Sequence, residues 1–323
     1  MEARISAIRD ADSKGGRPSS APVKLMRAML LLVRYSIRSE RELVEQMPHH
    51  LLFPWFVSQA IEYSVWNHFV FGKGRDRLIH HDAVMELFTA TVQMTRQMGP
   101  LSGEHFSADG TLIQPWTIHN SMRRKYGSDD GLPPESSNVE KRSNDTHESK
   151  SDPDSWLYRK CNAAPPLPSY LGSVLRDNVH GLVVKVPASQ IDGYAEREAG
   201  ALILADVAGK GMRITVTPVK SYRTCDFVEA CRAANVTPNV AHHKTRNGGS
   251  PVDGRTIRTS GCEVGQPKWK KTEKWLGWGM LTGLMRQAMV RELEKVDRRL
   301  TLTMAAYNLT RPRTLAKLCT PSS

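Results

Sequence analysis

The sequence predicts an α/β protein in which an all-helical N-terminal module precedes a mixed central sheet flanked by helices. Three observations carry this expectation. Apolar residues recur at helical spacing through the first hundred residues, strand-type alternation begins at residues 105–113, and strand and helix patterns then follow one another to about residue 309.

Residues 1–21 are polar and rich in Gly, Ser and Pro, which reads as a flexible lead-in. From Pro22 to Ile37 the residues Leu25, Met29, Leu32, Val33 and Ser36 fall on one helical face. Ser39 followed by Glu42 is a capping-box pattern that starts a second helix, running to about Met47. An aromatic helix is expected over 51–63. Another is expected over 81–98, where Val84, Leu87, Phe88, Thr91, Val92 and Thr95 share a face. Gly99-Pro100 closes the module, which therefore spans 22–99.

The segment HFSADGTLI alternates as a strand over 105–113. From about 120 to 168 the chain is polar and reads as an insertion or long loop within a domain that spans 100–315. Strands are expected at 171–175 and 181–186, a helix at 195–204, a strand at 212–219, a helix at 226–234 and a strand at 237–241. A basic, aromatic helix over 268–293 and an apolar one over 300–309 follow, with a tail at 316–323. This is the element order of an RNase H-like core, although other α/β domains share it.

With 323 residues and 40% apolar content the chain can form one large domain or two ordinary ones. Its formal charge of +12 is spread along the chain. Such a balance favours a polyanionic partner, most simply nucleic acid, over a merely soluble basic protein. The five cysteines are scattered and show no CxxC spacing, so they read as reduced thiols. No apolar run reaches the ~18 residues of a membrane span, and the N-terminus lacks a signal peptide's apolar core. A cytoplasmic, nucleoid-associated protein is expected.

Two acids stand out. Asp109, in Ala108-Asp109-Gly110-Thr111, is either an Asp-Gly hairpin turn or a metal-binding carboxylate on a strand. Glu273 is either a surface acid offsetting its neighbours or a functional carboxylate in a nucleic-acid channel. Around it Lys268, Lys270, Lys271 and Lys274 interleave with Trp269, Trp275 and Trp278, offering phosphate contacts and stacking surfaces together. An amphipathic helix that buries its tryptophans would show the same pattern. His242 and His243 have no partner at metal spacing, and Asn247-Gly248-Gly249 lacks the GK[ST] of a phosphate-binding loop.

Several blocks resemble bacterial insertion-sequence DDE transposases, in which a helical N-terminal module precedes an RNase H-like core. They are GRPSSAPVKLMRAMLLLVRYSIRSERELVEQ, LLFPWFV, VFGKGRDRL, EHFSADGTLIQPW, EKRSNDTHESKSDPDSWLYRK, PSYLGSVLRDNVHGLVV, DFVEACRAANVTPNVAHH, DGRTIRTSGCEVGQ, EKWLGWGMLTGL and AAYNLTRP, together covering about Gly16 to Pro312. The resemblance implies a protein that binds double-stranded DNA at transposon ends and target, as a homo-oligomer on that DNA. It also implies cleavage and transfer of strands with two Mg2+ or Mn2+ ions held by three carboxylates. Asp109 falls at the first carboxylate and Glu273 at the third.

The second carboxylate belongs in a motif similar to GADKGYDT. Here the chain reads Thr217-Pro218-Val219-Lys220-Ser221-Tyr222, which puts Val219 at the acid's position. The family's Arg four residues before the Glu and Lys seven after it correspond to Trp269 and Met280. Asp206 and Asp226 are nearby acids, but neither holds the strand-end position. The departures imply impaired catalysis, and the alternative function is a catalytically inactive DNA-binding remnant.

Overall fold

The computed structural model describes residues 21–60, 66–97, 105–116, 122–125, 143–159, 164–178, 180–191, 214–218, 229, 231–233, 235–238 and 273–319. The helices expected at 195–204, the start of the one at 268–293 and the lead-in at 1–20 lie outside these residues.

The N-terminal part is helical. Helix α1 (Pro22–Arg34) begins on Pro22, whose missing N–H costs nothing in a first turn, and buries Leu25, Met26, Met29, Leu32 and Val33. Helix α2 (Glu40–Gln46) is capped by Ser39, whose hydroxyl accepts from the Glu42 N–H at 3.1 Å. The Glu42 carboxylate in turn accepts from the Arg38 N–H at 3.2 Å, so the pair expected from sequence closes one residue further out than in a standard capping box. Helix α3 (Leu52–Val57) is shorter than expected because Ser58 turns left-handed, with φ 60°.

Helix α4 (His68–His80) has no counterpart among the expected elements. Gly72 and Gly74 weaken its helical pattern, yet one of them is what the packing requires. A Cβ at Gly74 would stand 2.5 Å from a methyl of Leu25 on α1. Helix α5 (Ala83–Gln97) matches its expected face, and its buried Thr91 and Thr95 hydroxyls donate to the carbonyls of Phe88 at 2.7 Å and Thr91 at 2.6 Å.

The sheet is built on β1 (His105–Ile113) and β5 (Leu167–Asp177), which pair antiparallel from Phe106↔Asp177 to Ile113↔Tyr170. The short strands β6 (Val183–Lys185) and β7 (Ala188–Gln190) pair with β5. On the other side of β1 lie β8 (Ile214–Pro218) and then β9 (Val236–Pro238), both parallel to their neighbours. The antiparallel strands are thus continued past β1 by two parallel ones. Of the helix expected at 226–234, residues 231–233 are helical, and Cys231 among them is buried as a free thiol.

The stretch expected to be an insertion or loop over 120–168 carries structure of its own. It contributes β2 (Met122–Arg124) paired with β3 (His147–Ser149), and β4 (Trp156–Tyr158) paired with β5. It reads as loop because what it buries is polar. Ser149, Asp152 and Ser155 are buried, with the Ser155 hydroxyl donating to the Asp152 carbonyl at 2.8 Å and the Asp152 N–H to the Ser149 hydroxyl at 3.2 Å.

Helix α6 (Glu273–Leu281) ends well before residue 293, at Thr282-Gly283 and a left-handed Leu284 with φ 54°. Helix α7 (Leu293–Cys319) is far longer than the expected 300–309. Its start is held from a distance: the Glu292 and Leu293 N–H groups donate to the carboxylates of Asp152 and Asp154, each at 3.1 Å. Acids at a helix N-terminus satisfy its free N–H groups and complement its dipole.

One apolar core joins the parts. Leu25, Met29 and Leu32 of α1, Val84 and Phe88 of α5, Leu300 and Leu302 of α7, and Ile113, Tyr170 and Val174 of the sheet belong to a single buried cluster. The boundary near residue 99 is a change of element type within a shared core. Among the described residues, no helix is long and apolar enough to cross a membrane.

Candidate functional site

Asp109 lies inside β1, opposite Val174, and the following Gly110 is opposite Ser173. The pairing continues on both sides, so Asp109-Gly110 is strand and not a hairpin turn. The side chain is 8% exposed, and its Oδ1 accepts from the Gly110 N–H at 2.9 Å. Strand alternation puts Asp109 on the face that carries Ser107, Thr111 and Ile113 of β1 and Tyr170, Gly172, Val174 and Arg176 of β5. The helix side of that face is dry, since a Cβ at Gly172 would stand 2.7 Å from an Ile113 methyl and 3.0 Å from one of Leu300.

Arg176 is the cation of this face. It is 3% exposed and stands opposite Ser107, a diagonal neighbour of Asp109. Burial pushes its guanidinium below the usual arginine range, Tyr307, Asp177 and Asp109 pull it back, and Arg311 opposes them. Arg311 reaches the same spot from α7, donating from Nε to the His180 carbonyl at 2.9 Å.

The turn between β5 and β6 is clamped by α7. The Tyr307 hydroxyl donates to the Gly181 carbonyl at 3.1 Å. The Asn308 amide accepts from the Val183 N–H at 3.0 Å and donates to its carbonyl at 2.7 Å. Gly181 is left-handed, with φ 76°, and a side chain there would meet the Arg311 guanidinium at 3.2 Å. Two of the blocks singled out from sequence, DNVHGLVV and AAYNLTRP, are therefore the two halves of one contact.

The strand β8 runs parallel to β1 with Ala108↔Pro218 as its last pair. Pro218 is its final residue, and Val219, which follows in sequence, lies outside the described residues, as do Asp206 and Asp226. Glu273 and Lys274 open α6, but their side chains are not among those described. Trp269, Lys268, Lys270 and Lys271 lie outside the described residues altogether. Helix α6 itself is fastened to α7 beside the clamp. Trp278 packs on Tyr307 with ring centroids 5.5 Å apart, a Cβ at Gly279 would meet the Met304 methyl at 3.0 Å, and Met280 packs against the core. For Trp278 the expectation of a helix burying its tryptophans holds in part, since the ring is half-buried.

Residues 1–77 match the family described as Transposase domain (DUF772). The match ends within α4, and so covers α1 to α3 and most of α4. No protein of curated function matches the chain. Among solved structures, the Mos1 strand transfer complex is similar over 97% of this chain and 82% of that one, at 10% identity and a TM-score of 0.28. The Mos1 transposase paired-end complex with left transposon end covers 95% and 81%, at 10% identity and a TM-score of 0.27. The Mos1 mariner paired-end complex with Mn covers 92% and 81%, at 12% identity and a TM-score of 0.23. At these TM-scores the likeness carries no argument about fold or mechanism.

A DDE transposase would hold two divalent ions, and among the residues of this chain expected to hold them only the side chain of Asp109 is described. Hard cations such as Mg2+ require several oxygen donors in a tight shell. Asp109 has the buried Arg176 as a diagonal neighbour on its own face. Among the described residues, no three His, Cys, Asp or Glu side chains come together as a ligand set. Arg176 escapes a sequence reading that looks for acids; its signal is a lone cation in the apolar run Tyr170 to Leu175 and the residue after it.

Proposed function

We propose that the chain is an insertion-sequence transposase of the DDE class, which binds double-stranded DNA at transposon ends and descends from enzymes that cut and transfer those strands. The observation that carries the reading is the join between a segment matching a transposase domain and a sheet whose antiparallel strands are continued by two parallel ones, with Asp109 on the strand between the two sets. That order matches an RNase H-like core. The register Ala108↔Pro218 supports Asp109 and position 219 as the paired acid positions, since each is the next residue in sequence after a paired one. Glu273 would be the third position, and Lys268, Lys270, Lys271 and Lys274 around it in sequence would meet phosphates. The net charge of +12 suits that partner, and binding as a homo-oligomer in the cytoplasm or on the nucleoid fits the reading.

The second reading is a protein that binds ends without cutting them, and it rests on the resemblance at position 219. Val219 stands where the family has an acid, and Arg176 is buried beside Asp109. The experiment is an assay of binding and nicking on fragments bearing the element's own ends, with Mg2+ or Mn2+, for the native chain and Val219→Asp. Cutting by the native chain supports an active enzyme in which another acid serves. Binding without cutting supports the second reading, and absence of end binding removes both.

A further inference from the structure

Between α7 and the N-terminal helices lies a cavity of about 30 Å3, with room for a small ion and not for an organic ligand. Its charged lining is Glu40 of α2, Arg75 of α4, and Lys295, Arg298 and Arg299 of α7, four cations with one carboxylate. Three of the cations have acid partners. Arg75 pairs with Glu40 and, at 2.9 Å, with Asp76. Arg298 pairs with Asp297 at 3.0 Å and Asp82 at 2.6 Å, while its Nε is buried without a hydrogen-bond partner. Lys295 pairs with Glu292 at 2.9 Å. Among the described residues, none accepts a hydrogen bond from the Arg299 guanidinium, and the carboxylate that attracts it is Glu40, already held by Arg75. Burial pushes Arg299 down to about 10, Glu40 pulls it back, and Arg75 adds to the fall. Asp76, Asp82 and Glu292 are 52%, 63% and 60% exposed, so water screens them and they balance little charge inside. The inner groups are then Arg75, Arg298 and Arg299 against Glu40 and Asp297, which leaves one positive charge over.

We propose that this cavity binds a tetrahedral oxyanion, phosphate or sulfate in kind, held by Arg299 and Arg298 of α7 with Arg75 of α4 in the same lining, so that one ion joins α4 to α7. The proposal goes beyond the transposase reading and does not depend on it. A guanidinium presents a planar fork of donors that matches two oxygens of such an ion, and charge-assisted bonds of this kind are short and strong. The ion supplies the negative charge that the interior lacks, and its oxygens give acceptors to donors without partners. Glu40 does not bar it, because its carboxylate is neutralised by the ion pair with Arg75. The same phosphate group can come free in solution or on a DNA strand, and the chemistry at Arg299 is common to both.

The test is calorimetric titration of inorganic phosphate into the full chain at fixed ionic strength, for the native protein and Arg299→Met. A saturable site is expected in the native chain, weakened at least ~10-fold in the variant. Absence of saturable binding overturns the proposal, as does equal binding by a folded Arg299→Met. Competition in the native chain alone needs no substitution: sulfate should displace phosphate, and chloride at the same ionic strength should not. Displacement by chloride as effective as by sulfate overturns the tetrahedral site. A short DNA duplex of arbitrary sequence separates the two sources. Loss of phosphate binding when the duplex is added assigns the site to a strand phosphate, and an isotherm that the duplex leaves unchanged assigns it to the free ion. Failure of the chain to recognise transposon ends removes the transposase reading, while the phosphate isotherms still decide the role of Arg299.

Discussion

Asn308 holds Val183 by both ends of its amide, accepting from the Val183 N–H and donating to the Val183 carbonyl across 125 positions of sequence. A side chain thereby completes the main-chain pairing that β6 lacks on that edge. Replacing Asn308 with Leu leaves a donor and an acceptor buried without partners, each costing about 1–3 kcal/mol. The expected loss is roughly 2–4 kcal/mol in urea unfolding, and a loss under about 0.5 kcal/mol contradicts the clamp.

Helix α6 depends on Gly283. A Cβ there would stand 2.7 Å from the Gly279 carbonyl oxygen and would also collide with a Thr303 methyl, so backbone must move. Gly283→Ala should cost about 1–3 kcal/mol, typical of overpacking, and should shift the Trp278 contribution to fluorescence as its contact with Tyr307 is lost. An unchanged Tm and emission spectrum would count against this seat for α6.

The N-cap of α2 is a smaller, local contact. Ser39→Ala removes the acceptor of the Glu42 N–H and should lower stability by about 1 kcal/mol. Ser39→Asp should retain most of the native value in the same thermal melts.

Stability should also depend on Asp152. Its Oδ1 accepts from the Tyr170 hydroxyl at 2.7 Å and from the Glu292 N–H at 3.1 Å. Burial pushes its carboxyl above the usual value of 3.8, and those two donors pull against it. The folded chain then binds a proton more readily than the unfolded one. Its contribution is fully present below pH 3.8 and is lost as pH rises through the folded value. Burial moves Asp297 in the same direction. Asp152→Asn removes the titrating group, so urea midpoints of the variant should gain on the native chain as pH rises from about 4 to about 7. Parallel curves would show that Asp152 does not titrate with folding.

Much of the architecture is legible in residue pattern alone. Helices α1 and α5 follow from apolar periodicity, because each buries one face, and strands β1 and β8 lie where their strand patterns place them. What escapes the pattern is long-range. Whether Asp109-Gly110 is turn or strand depends on β5, some sixty residues away, and the buried polar set at Ser149, Asp152 and Ser155 looks like loop until Tyr170 and α7 meet it. Helix α7 continues past Pro312, where a local reading stops, and its first two turns are too charged to show a face. Arg176 is hidden for a different reason, since its meaning comes from sharing a sheet face with Asp109.

The claim that the chain engages transposon ends is tested most directly by competition binding. Labelled end fragments are challenged with unlabelled ends and with scrambled duplex of equal length, across a series of salt concentrations. The account predicts preferential displacement by the ends. It also predicts a steep loss of affinity with salt, which becomes shallower by about one in log–log slope for each phosphate-contacting lysine removed, Lys270 and Lys274 first. Equal displacement by scrambled duplex, or binding indifferent to salt, would contradict it.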